Sequence, residues 1–150
     1  MDKFLVRGSI FLAVIGLLVS IYMTIFKLTS NETMCLGSGG CSTVNTSRYS
    51  EVGGIPVALI GVTGYTAILI LHFLEKRSGF FNEQGSLLIF GISLTGFLFN
   101  LYLIYVETFL IKAYCPFCIT SQIAMSLIFI VALIRLIQMP GLQEDNHATH

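Results

Sequence analysis

The sequence predicts an all-α integral membrane protein, a four-helix bundle with a cysteine-containing outer loop between helices 1 and 2. Three observations carry this. Of the 150 residues, 55% are hydrophobic and only 11% are charged, against about 25% charged in a soluble domain. Four apolar runs, 8–26, 52–74, 84–106 and 113–134, contain no Asp, Glu, Lys or Arg. Each matches the roughly 20 residues that cross a bilayer as a helix. The charges gather in the short pieces between the runs, and mean hydropathy over the whole chain is +0.84.

The spans are expected at about 8–28, 53–75, 84–106 and 114–136, making one four-helix domain over 1–138 and a polar cytoplasmic tail over 139–150. The formal net charge is zero and the longest basic run is Lys76-Arg77, which leaves nothing to neutralise a phosphate backbone and excludes nucleic acid as a partner. Lys3 and Arg7 precede a run longer than a signal-peptide core, and no Ala-x-Ala cleavage site follows it. The first helix is therefore expected to be retained.

Helix 1 carries the small residues Gly16 and Ser20 one turn apart, a pattern that lets helices approach closely, and Lys27 at its end is expected to snorkel to the interface. The outer loop runs Cys35-Leu-Gly-Ser-Gly-Gly-Cys41-Ser-Thr-Val-Asn-Thr-Ser47. Its glycines permit tight backbone, and Ser42 or Thr43 is expected to cap a short interfacial helix over 42–50. Asn31-Glu-Thr33 and Asn45-Thr-Ser47 match the glycosylation sequon, a pattern frequent by chance.

Helix 2 opens on Gly53-Gly54-Ile55-Pro56, with proline tolerated in a first turn. Gly61 and Gly64 flatten one face for a neighbouring helix or a flat ligand. His72 reads as an interfacial residue and not a proton relay. Helix 3 places Ser93, Gly96 and Asn100 on one stripe, with Asn100 expected to bond across to another helix. Glu107 and Lys112 mark its outer end. Helix 4 begins with Cys115-Pro116-Phe117-Cys118 as its first turn, and the tail carries two histidines.

Orientation follows from basic residues in short loops. Lys3, Arg7, Lys76, Arg77 and Arg135 fall on one side, and Lys27, Arg48 and Lys112 on the other. Both termini are therefore expected in the cytoplasm. Parity makes a firmer statement: two spans separate the Cys35–Cys41 loop from Cys115 and Cys118, so all four cysteines share one face. On that orientation the face is extracytoplasmic, where disulfides form and persist.

A helix's first turn offers unpaired N–H groups and the positive end of the dipole, which favour the thiolate, the reactive form of cysteine. A dithiol there faces water on one side and lipid on the other. It can meet a protein disulfide through a flexible shuttle and a lipophilic two-electron acceptor such as a quinone. A structural staple is the plainer use of Cys35 and Cys41. Zinc fits poorly, because its strong signature is two Cys-x-x-Cys pairs and one pair here is Cys-x5-Cys.

Cys35 and Cys41 in a Gly-rich loop, Ser47 beyond them, Gly-Ile-Pro at helix 2 and Cys115-Pro-Phe-Cys118 opening helix 4 resemble the vitamin K epoxide reductase family, particularly its bacterial members. The likeness runs through nearly the whole chain. It implies a bundle around a quinone, ubiquinone or menaquinone, with no metal. Cys41 would exchange with a DsbA-like thioredoxin-fold protein, Cys35 would attack Cys115, and Cys118 would reduce the quinone. Ser47, with Phe117 and Gln122, would lie at the quinone site. Many bacterial relatives carry a fused thioredoxin-like domain; the chain stops after helix 4, so the partner is expected to be a separate protein. Gln122 stands where the animal enzymes have tyrosine, which points away from vitamin K epoxide as substrate. The other function classes are a quinone or vitamin K epoxide reductase with small-molecule turnover as its main role, and a non-catalytic membrane scaffold with structural disulfides.

Overall fold

The computed structural model describes residues 2–29, 39–77 and 81–138. Cys35, the sequon at 31–33 and the tail from 139 lie outside the described residues, and of Cys41 only the main chain is described. The elements are α1 (Asp2–Thr29), α2 (Gly39–Thr46), a 3-10 turn (Arg48–Ser50), β1 (Glu51–Val52), β2 (Ile55–Pro56), α3 (Val57–Arg77), α4 (Phe81–Tyr105), a π-helical stretch (Val106–Ile111) and α5 (Pro116–Ile137).

Among the described residues, four helical segments are long and apolar enough to cross a membrane: Lys3–Thr29, Val57–Arg77, Gln84–Ile111 and Pro116–Ile137. Where water is absent, each polar group must be satisfied within the protein. Hydroxyls on the spans accordingly fold back onto the preceding turn. Thr24 donates to the Ser20 carbonyl at 2.8 Å, Thr63 to Leu59 at 3.1 Å, Thr95 to Gly91 at 2.9 Å and Ser126 to Gln122 at 2.8 Å.

The spans form a ring in which α1 packs on α3 and α5, and α4 closes the far side against the same two helices. At its centre Ala13, Tyr65, Ile68, Met125 and Ile128 are buried together. The small residues of α1 make this possible. A Cβ on Gly16 would run into the Tyr65 ring, and the Tyr65 hydroxyl crosses the bundle to donate to the Ser121 carbonyl at 2.7 Å. Large side chains such as Phe4, Phe11, Leu18, Phe73 and Phe109 point outward, the inverse of a soluble fold and the arrangement a lipid solvent selects.

Several expectations need correction. The second span begins at Val57, because Gly53 (φ +61°) and Gly54 (φ +85°) form a hairpin turn pairing Val52 with Ile55 and Glu51 with Pro56. Positive φ at both central residues is what a tight type I′ turn requires. Pro56 thus ends β2 and precedes the helix. The loop helix starts at Gly39, upstream of the expected caps. Thr43 instead bonds back to the Gly39 carbonyl at 2.9 Å.

Lys27 does not merely snorkel. Its Nζ donates to the Asn45 carbonyl at 2.8 Å and to Ser50 Oγ, and lies 3.2 Å from the Glu51 carboxylate, tying the loop to α1. His72 is buried, with 3% exposure. Its Nε2 is 2.9 Å from Ser9 Oγ and its Nδ1 is 3.4 Å from Glu75, which also pairs with Arg135 of α5. This polar knot joins α1, α3 and α5 at the end of the bundle opposite the cysteines.

Candidate active site

Cys115 is held in extended conformation (φ −103°, ψ 116°) as the residue capping α5, with Pro116 at the first helical position. Proline fits there because its missing N–H has no intrahelical acceptor to serve. Cys115 and Cys118 thus sit about the first turn of α5, as the sequence predicts. Their surroundings differ. Cys115 is fully buried and clusters with Met23 and Phe26 of α1, with Val44 of α2 packed alongside. Cys118 lines a cavity of about 560 Å³ in the bundle's outer half.

The loop helix approaches Cys115 from the other side. A Cβ on Gly40 would collide with the Tyr114 carbonyl, so the two main chains touch there. Cys41 and Cys115 are their respective neighbours in sequence. The segment carrying one loop cysteine therefore lies against the segment that begins α5, and both stand at the same end of the bundle.

The cavity wall is drawn from α1, the loop, α3, α4, the π-helical stretch and α5. It is mainly apolar, with a few polar groups converging on it. Ser47, Phe117 and Gln122 all lie on this lining, as does Asn100. Ser47 closes the loop by donating from Oγ to the Val44 carbonyl at 2.7 Å. Phe117 leans on Tyr22 with ring centroids 5.1 Å apart. Asn100 bonds across to α5, as its place on the polar stripe predicts, through an N–H to the Gln122 carbonyl at 3.5 Å.

Thr63 of α3 and Gly91 and Thr95 of α4 both line the cavity and lie exposed on the bundle's outer surface. Tyr49 of the loop also lines the cavity and is exposed, so the cavity meets the outside both between α3 and α4, within the apolar spans, and at the loop.

Glu107 is the residue the sequence reading passes over. Placed there at the outer end of a span, it is instead 5% exposed and turned inward. Its carboxyl accepts from Gln122 Nε2 at 3.5 Å, one turn of α5 beyond Cys118, and shares the cavity wall with that thiol. The π-helical stretch is the local cause. A π-turn holds one more residue than an α-turn, which rotates the segment, and Lys112 then exits in the left-handed conformation (φ 53°, ψ 34°). A signal existed: Phe109-Leu110-Ile111 continue the apolar run past Glu107, and an acid enclosed by a span is a functional marker.

The sequence model of the vitamin K epoxide reductase family matches residues 9–133, from α1 into the last turns of α5. The chain belongs to the vitamin K epoxide reductase family. Family membership brings a multi-pass membrane oxidoreductase working between thiols and quinones. The residues present suit a quinone: an apolar cavity, polar groups on its wall, a redox-capable cysteine at one end and an opening at membrane depth.

Proposed function

We propose that the chain re-oxidises a separate DsbA-like thioredoxin-fold protein and delivers the electrons to ubiquinone or menaquinone, sustaining disulfide formation outside the cytoplasm. In each turnover the partner's two S–H bonds break and its S–S bond forms. Two electrons and two protons end on the quinone, which leaves as quinol. Cys41 meets the partner, Cys35 passes the pair to Cys115, and Cys118 faces the acceptor. Ser47, Phe117 and Gln122 bind the quinone ring.

The observation that carries this reading is the division of surroundings between the two α5 cysteines. Cys115 is sealed beside the loop segment, while Cys118 opens onto the cavity. A static disulfide staple has no use for that asymmetry. The protein is read as lying in the plasma membrane with both termini cytoplasmic. The support is the excess of basic residues, Lys76, Arg77 and Arg135 among them, at the end remote from the cysteines.

Two variants test the relay. Cys35→Ala, unable to resolve the exchange at Cys41, should accumulate a mixed disulfide with the thioredoxin-fold partner on non-reducing gels. Cys118→Ala should abolish quinone reduction driven by that partner. Wild-type quinone reduction by Cys118→Ala would sink the proposal.

A further inference from the structure

Oxidising a dithiol with a quinone moves protons as well as electrons. The Cys118 S–H must lose its proton before sulfur can give up electrons, and the quinone oxygens must each gain one. In a cavity bounded by apolar helices, water is a poor carrier for either transfer. A group of the protein has to hold the proton between those moments.

Glu107 stands where such a group is required. It lines the same cavity as Cys118, bonds to Gln122 one turn along α5 from that thiol, and is buried in the outer part of a span. From the start of α5 the titratable groups nearest its carboxyl are Cys118 and, behind it, the capping Cys115. On the other walls the titratable groups are Tyr65 of α3, which donates to Ser121, and Tyr49 of the 3-10 turn; Lys27 of α1, outside the lining, is engaged by Ser50 and Glu51. The contact with Gln122 does not account for a carboxyl group. A second amide could make the same bond without the cost of placing an ionisable group at membrane depth.

We propose that Glu107 is a catalytic proton carrier, taking the proton from Cys118 Sγ and handing it to the nearer quinone oxygen. The inference rests on the thiol-to-quinone reading above. The balance is closed: Cys115 and Cys118 lose two S–H protons and two electrons as their S–S bond forms, the quinone gains both, and Glu107 ends as it began. One proton passes through its carboxyl in each turnover.

The test uses the full chain in lipid nanodiscs, dithiothreitol as reductant and a short-chain ubiquinone as acceptor. Glu107→Gln keeps the shape and the hydrogen bonds but cannot carry the proton. Its kcat should fall about 100-fold, the range of general acid–base catalysis, with KM for the quinone unchanged. Its rate should also climb with pH where that of the wild type is flat, because solvent must then accept the thiol proton. Glu107→Asp keeps the carboxyl and should retain the wild-type pH profile at a reduced rate.

A second readout needs no quinone. The reduction potential of the Cys115–Cys118 pair, titrated against pH, should show a window of altered slope in the wild type that Glu107→Gln lacks, because the carboxyl meets an S–H only in the dithiol form. A Glu107→Gln enzyme with wild-type kcat, a loss confined to KM, identical potential curves, or an Asp variant with the Gln pH profile would each overturn the proposal. Those failures leave the relay standing. Quinone reduction that survives Cys118→Ala would instead remove the relay itself.

Discussion

Gly16 shows how much one absent Cβ decides. The Tyr65 ring occupies the space that any side chain there would need, and its hydroxyl spans the bundle to Ser121. Gly16→Val should push the ring away, break that bond and cost about 1–3 kcal/mol, the usual penalty for overpacking. A lowered thermal unfolding midpoint in detergent would register it, with Tyr65→Phe showing the smaller loss of about 1 kcal/mol from the hydrogen bond alone. The need for small residues here is legible in the Gly16 and Ser20 spacing. The partner is not, because nothing local ties position 16 to a tyrosine on another helix. His72 fails for the same reason. Near the end of an apolar run it reads as interfacial, and only the packing of Ser9 and Glu75 around it reveals a buried knot.

At the scale of elements, the loop between α1 and α3 is a fastened structure. The Gly53-Gly54 hairpin presents Glu51, and Lys27 reaches from α1 to Glu51, Ser50 and the Asn45 carbonyl together. That clamp holds α2, which carries Cys41, against the start of α5. Lys27→Met should release it. Oxidation of a thioredoxin-fold protein should then slow several-fold at saturating quinone. Quinone reduction driven by dithiothreitol, which can reach the cysteine pair without an ordered loop, should keep its kcat and show only a raised KM for quinone, because Asn45, Ser47 and Ser50 line the cavity. Stopped-flow assays of the two half-reactions separate these. Equal losses in both would mean that Lys27 supports the bundle as a whole. Among the elements, the four spans and the cysteine turn are legible because hydropathy and proline placement are local properties. The hairpin is half legible: a Gly-Gly pair is a turn signal, but the apolar residues that follow it blend into the helix. The π-helical stretch is invisible to any α-helical periodicity, and only the apolar Phe109-Leu110-Ile111 beyond Glu107 signal that the acid is enclosed.

For the molecule as a whole, the cavity reaches the outside between α3 and α4, where Thr63, Gly91 and Thr95 line it and are exposed. A lipophilic acceptor using that opening arrives by lateral diffusion in the bilayer. Its effective concentration is then a mole fraction in lipid. Proteoliposomes diluted tenfold with buffer should keep their turnover per enzyme, whereas adding lipid at constant quinone should slow it in proportion once below saturation. The side door thus makes membrane composition, not the aqueous pool, the variable to which the acceptor side of this oxidoreductase answers, with the thiol donor held constant.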